Sequence, residues 1–151
     1  MKRDTRLSDV LHVLLHMARQ DRPWTSAAMA EALGTNPVVV RRTMAGLREG
    51  GLVRSERGHG GGWTLARDLE AVTLREVHAA LGAPSLLAVG TRSTSPGCLV
   101  EEAVHAALGE AFEDAEARLL ARLGEVTLAQ LSADLGRRVA ARGRRERRGR
   151  R

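Results

Sequence analysis

The chain has 151 residues, with 24 Lys or Arg against 18 Asp or Glu and a formal charge of +6. That length suits one compact domain with extensions, and no apolar run reaches the roughly eighteen residues of a membrane span. One cysteine excludes an internal disulfide and fits the cytoplasm, while Asp9, His12 and His16 interrupt the stretch that a signal peptide would need.

In chain order, Leu7, Val10, Leu11, Leu14, Leu15 and Ala18 predict an amphipathic first helix, broken by Asp21, Arg22 and Pro23. Thr25 or Ser26 can cap a second helix holding Met29, Ala32 and Leu33, which Gly34 stops. The interval from Gly34 to Pro37 is then the turn of a helix-turn-helix. Asn36 is a good N-cap and Pro37 a good first residue for a third helix. Its Val40, Met44 and Leu47 recur at i, i+4 and i+7 and mark the buried face, which leaves Arg41, Arg42 and Arg48 outward. Gly50 and Gly51 end this helix, Leu52 and Val53 start a strand, residues 58–62 turn the chain, and Trp63, Thr64 and Leu65 return. A cationic helix followed by a cationic hairpin fits a helix for the DNA major groove with a wing beside it. The plainer reading is a three-helix domain with a hairpin, for which outward arginines are unnecessary. The glycine run is no nucleotide loop, because no Gly-Lys-Ser/Thr follows it. Aromatics are confined to Trp24, Trp63 and Phe112, so stacking on unpaired bases is poorly served and duplex DNA is favoured.

Thr73 and Glu76 form a capping-box pattern before Val77, Ala80 and Leu81, predicting a fourth helix that Gly82 and Pro84 end. A short apolar piece at 86–89 and a polar loop at 90–97 follow. From Cys98 to Leu123, Val100, Val104, Ala107, Ala111, Ala115, Leu119 and Leu123 recur at steps of three and four, widened by Leu108, Phe112 and Leu120. A helix of roughly 25 residues would run about 37 Å, beyond what a small winged helix can cover. Its stripe is expected to pack against the same helix of a second chain, the alternative being that it lies back on its own domain. Gly124 is expected to stop it, and Thr127 to Leu131 to begin a last short helix.

Charge divides along the chain: residues 1–69 carry +4, residues 70–136 carry −6 and residues 137–151 carry +8. The basic first part suits phosphate, and the acidic middle suits protein or solvent. Arg137 to Arg151 read as a disordered tail of mutually repelling charges, which adds non-specific DNA affinity or merely solubilises. The expected architecture is mainly α with a small β wing. A winged helix-turn-helix domain occupies residues 1–82 and a linker 83–97. A dimerisation helix and short terminal helix occupy 98–136, and the basic tail 137–151.

Four segments carry a resemblance to a known family. Asn-Pro-Val-Val-Val-Arg-Arg (36–42), Leu-Arg-Glu-Gly-Gly-Leu-Val-Arg-Ser (47–55), Arg-Gly-His-Gly-Gly-Gly-Trp-Thr-Leu-Ala (57–66) and Val-Thr-Leu-Arg-Glu-Val (72–77) resemble the bacterial Rrf-two family of winged-helix transcription regulators. The resemblance is strong over residues 5–82, fair over 98–132 and absent beyond about 136. It implies a homodimer on a near-palindromic operator, usually a repressor. It places Asn36, Val38, Val39, Arg41 and Arg42 at base edges. An arginine paired bidentately with guanine contributes about 1–3 kcal/mol of discrimination, and valines can meet thymine methyls; the competing role of each valine is ordinary packing. Many relatives have polar or acidic residues at positions 41 and 42, so the target sequence does not carry over. Arg57 matches the wing position that reaches the minor groove, with Arg54 and His59 as phosphate candidates. Gly60 to Gly62 allow backbone amides to approach phosphate.

Iron–sulfur members of that family carry three clustered cysteines between the fourth helix and the long helix. Here only Cys98 stands there, so a cluster would need further ligands such as Asp9 or His105, and no cofactor is expected. Cys98 is a candidate redox sensor through sulfenate or an inter-subunit disulfide, or a small buried residue at a helix start. His12 and His16 have metal-ligand spacing without an evident third ligand. An enzyme reading fails on distance, because Cys98 and His105 stand about 10 Å apart along a helix. A protein-interaction winged helix is the other rival, although it would not need Arg41, Arg42 and Arg57 together. An unidentified small molecule or an oxidant is the expected effector.

Overall fold

The computed structural model describes residues 5–87 and 98–148, with the backbone alone for 143–148. Helices α1 (Arg6–Met17), α2 (Ser26–Leu33) and α3 (Pro37–Glu49) lead into an antiparallel hairpin of β1 (Val53–Glu56) and β2 (Gly62–Leu65). A 3-10 turn (Leu69–Ala71), α4 (Leu74–Ala80), α5 (Leu99–Glu125) and α6 (Leu128–Arg148) follow. The mainly helical architecture with a two-stranded wing and a long helix is the one expected. The anticipated loop at 90–97 lies outside the described residues.

The core is aliphatic, as the scarcity of aromatics requires. Val10, Val13, Leu14 and Met17 of α1 meet Met29 of α2 and Val40, Met44 and Leu47 of α3, with Leu52, Val72, Val77 and Leu128 closing the cluster. Each fully buried Leu or Met contributes about 1.5–3 kcal/mol by leaving water. Between the two possible caps of α2 the chain uses Thr25, whose hydroxyl accepts from the Ala28 N–H at 3.2 Å. Gly34 ends the helix in the left-handed region with φ 61°, a conformation cheap only for glycine. At α4 both bonds of the capping box form: Thr73 Oγ1 accepts from the Glu76 N–H, and Glu76 accepts from the Thr73 N–H at 2.8 Å.

Helix α5 is 27 residues long, about 40 Å at the helical rise, and none of its residues is buried. Among the described residues, its C-terminal end is the part that packs on the core, through Leu123 and the following Val126. A second tether joins the Leu86 N–H to Glu116 Oε1 at 2.7 Å. Gly124 does not stop the helix, which continues to Glu125. What ends it is a backbone bridge between Thr73 and Thr127. The Leu74 N–H donates to the Val126 carbonyl, and the Leu128 N–H to that of Val72, each at 2.9 Å.

The last helix corrects two expectations. It is not short, and residues 137–148 are not a disordered tail: α6 is continuous from Leu128 to Arg148. Thr127 and Gln130 cap it reciprocally, and Leu128 anchors it in the core. Arg and Ala are among the strongest helix formers, and Asp134 accepts from Arg137 at 3.2 Å and Arg138 at 2.6 Å. Charge repulsion alone was therefore a poor guide to this segment.

Candidate nucleic-acid interface

Asn36 opens α3, its Oδ1 accepting from the Val38 N–H at 2.8 Å. With Pro37 preset for the first turn, this cap fixes the direction in which the next side chains project. Val38 and Val39 are 63 % and 54 % exposed, while Val40 is buried. The packing alternative for the first two valines is thereby set aside. Arg42 lies one turn from Val38 on the same face and is exposed. Arg41 flanks that face, and its Nε donates to the Pro37 carbonyl at 3.3 Å. Glu49 lies two turns beyond Arg42 on the same line and would repel phosphate, so the face suited to DNA is the N-terminal half of α3.

Arg6, at the start of α1, shares a groove with Val39, Arg42, Thr43 and Gly46. Sequence spacing does not mark Arg6, because only the fold brings the first residue of α1 beside α3.

In the wing, Arg57, His59 and Gly60 are all exposed, and Gly60 has φ 80°. Arg54 is engaged: its Nε donates to Thr64 Oγ1 at 3.0 Å and lies 3.9 Å from the Glu56 carboxylate. Such an exposed pair contributes at most about 1 kcal/mol, so Arg54 is available to phosphate only in competition with Glu56. Gly61 serves the turn itself, since a Cβ there would fall 2.3 Å from the Glu56 carbonyl oxygen.

The wing is also tied down from behind, which sequence reasoning missed. Trp24 and Trp63 exchange both backbone N–H···O bonds at 3.0 Å, adding a third short rung to the hairpin. The Trp63 indole N–H donates to Ser26 Oγ at 2.9 Å, which occupies the hydroxyl that Thr25 leaves free of capping duty. Gly62 permits this approach, because a Cβ there would meet the Trp24 backbone at 2.9 Å. A tryptophan directly after the Pro23 break was the available signal.

Cys98 is the N-cap of α5 and is exposed, not a buried small residue. His12 and His16 stack with ring centroids 4.7 Å apart. Among the described residues no three His, Cys, Asp or Glu side chains group as a metal would need. One exposed thiol per chain does not match the several thiolates that hold an iron–sulfur cluster. No described helix is long and apolar enough to cross a membrane.

A capped helix with outward valines and arginines, beside a braced cationic hairpin, defines a winged-helix DNA-binding regulator of transcription. The chain belongs to the Rrf2 family: the family model, described as an iron-dependent transcriptional regulator, matches residues 3–134. It is 30% identical over 113 residues to YwnA of Bacillus subtilis (strain 168), described as an HTH-type transcriptional regulator; the match covers 75% of this chain and 84% of that protein. Among solved structures, a protein from Lactobacillus plantarum described as a transcriptional regulator aligns with TM-score 0.71 and 24% identity, covering 87% of this chain and 90% of its own. CymR, the global cysteine regulator of B. subtilis, aligns with TM-score 0.63 and 21% identity over 88% and 97%. At these identities the structural likeness is one of fold.

Proposed function

We propose that the chain acts in the cytoplasm as a homodimeric repressor of a near-palindromic duplex operator. The observation that carries this reading is the pair of exposed valines, Val38 and Val39, beside Arg42 on a capped helix. In this reading Asn36, Val38, Val39, Arg41 and Arg42 meet base edges in the major groove. Arg57 enters the minor groove, while Arg54, His59 and the Gly60 backbone meet phosphate. Asn36 contributes its side-chain NH2, since its oxygen is held by the cap.

The exposed stripe of α5 supports the dimer. Leu99 is 77 % exposed and Val100 72 %, and Val104, Leu108 and Leu119 continue the uncovered stripe. A second copy of α5 is the cover we assign, which would hold two recognition helices about one DNA turn apart. Operator selection from a random duplex pool tests the reading. Recovery of an inverted repeat bound by two chains is expected, and a pool that never enriches would overturn it.

A second reading concerns the signal. The exposed Cys98 thiol at the start of α5 supports an oxidant response through sulfenate or an inter-subunit disulfide, with an unidentified small molecule as the other source. Peroxide should change operator affinity in the native protein and leave Cys98→Ser unaffected; a response that survives the substitution would exclude the thiol.

A further inference from the structure

Residues 137–151 hold nine arginines and one glutamate, whereas residues 1–136 hold 15 basic and 17 acidic residues. The whole of the positive excess therefore lies in the last fifteen residues, beyond the segment matched to the Rrf2 family. Through Arg148 this segment is helix, continuous with the part of α6 that buries Leu128. From the half-buried Leu131, steps of four, three and four along the helix reach Leu135, Arg138 and Arg142. The line that is apolar where α6 meets the body thus becomes cationic where it runs past. Val139, next to that line, is 50 % exposed.

Seven arginines between positions 137 and 148 place like charges three and four residues apart, which destabilises a helix in isolation. Among the described side chains, Asp134 pairs with the first two. Residues 137–148 together form a rod of about 18 Å whose self-repulsion a polyanion would remove.

We propose that the C-terminal half of α6 is a second DNA contact, whose arginines from Arg138 onward grip the phosphate backbone of the duplex read by α3 and the wing. The inference rests on the DNA-binding reading above. A length of about 18 Å spans roughly five phosphates of one strand, and guanidinium groups bind phosphate bidentately. Residues 1–136 alone carry a net −2, so α6 also reverses the sign of long-range steering toward DNA. Phosphates are the same in every sequence, so this contact supplies affinity without base preference. The rival anion is α5 of another copy, with seven acidic and two basic residues. Its charges spread over 27 residues and include Arg118 and Arg122, whereas each DNA strand presents a charge about every 3.4 Å.

The test measures the full-length protein on its selected operator and on a random duplex of equal length, across a potassium chloride series. Deleting residues 137–151 should weaken both complexes by the same factor, about tenfold or more at low salt. The slope of log K against log salt should become shallower by about 3–5 per chain. Arg142→Gln should remove about 1 of that slope, and Arg138→Gln less, because Asp134 already holds that guanidinium. Ala140→Pro keeps the charge but breaks the rod, and should weaken both complexes with operator preference intact. A deletion with unchanged slope and intact operator binding would overturn the proposal. So would a deletion that only dissociates the dimer in sedimentation, which would give the arginines to α5. Native behaviour of Ala140→Pro would overturn the rigid-helix part. Full-length protein that does not distinguish operator from random duplex would instead sink the winged-helix reading beneath it.

Discussion

A methyl group on Gly46 would lie 2.8 Å from the Ala80 carbonyl oxygen, and one on Gly50 2.9 Å from the Ala80 Cβ. α3 and α4 therefore meet there across nothing larger than the Ala80 methyl, and α4 sets the seat of the recognition helix. Gly46→Ala is expected to cost about 1–3 kcal/mol by overpacking. It should also lower operator affinity at temperatures where the variant is fully folded, because α3 must move to make room. Thermal melts and binding isotherms check both, and a native-like melt would show that α4 yields without penalty.

The arginines of α3 and the wing should separate by role. Arg41→Ala and Arg42→Ala are each expected to lose about 1–3 kcal/mol of discrimination at particular base pairs. Arg57→Ala should weaken binding with less effect on major-groove preference. Arg54→Ala should matter least, because Thr64 and Glu56 already occupy that guanidinium. Operator affinities at one salt concentration decide this; if Arg41, Arg42 and Arg57 are all dispensable, the assignment fails.

The uncovered stripe of α5 makes its own prediction. Aspartate at Ala111 or Leu119 would place an unpaired charge in an apolar interface, a loss of several kcal/mol. Both positions are exposed within one chain, so the winged helix should fold normally while sedimentation reports monomer. Two dimeric variants would exclude this face.

Acid stability should depend on Glu76. Its carboxyl is held below the ordinary glutamate range, chiefly by the Thr73 N–H and then by Arg67. A carboxylate with a depressed folded-state pKa adds stability above its unfolded value of about 4.3, and that stability is lost as pH falls through the folded value. Glu76→Gln should therefore be less stable than native near neutrality and show a flatter decline between about pH 5 and 3. Parallel denaturation curves across that range would remove the idea.

Local chemistry made most of the reading head legible. Asn36 with Pro37, Gly34, and Thr73 with Glu76 act within four residues, and each behaves as its residue type predicts. The errors arise where distant residues decide. Ser26 was an equal candidate for a cap until the indole of Trp63, 37 residues away, took its hydroxyl. Gly124 satisfied a local stop rule, yet the bridge at Thr127 sets the end of α5. In α6, repulsion among arginines pointed to disorder, while helix propensity and the pairing at Asp134 pointed the other way. Exposure also lay beyond periodicity: it separates Val38 and Val39 from Val40, and Arg57 from the engaged Arg54.

The bridge between Thr73 and Thr127 fastens the end of α5 to the start of α4 through the main chain. α4 then bears on α3 where Gly46 and Gly50 leave nothing larger than the Ala80 methyl between them. From the long helix to the reading head, the linkage thus has little slack in which long side chains could absorb a displacement. A tilt of α5 is therefore expected to reach α3 as a tilt. In the proposed dimer, a regulatory signal acting at α5 need only be geometric, changing how far apart two reading heads stand while leaving the chemistry of each untouched.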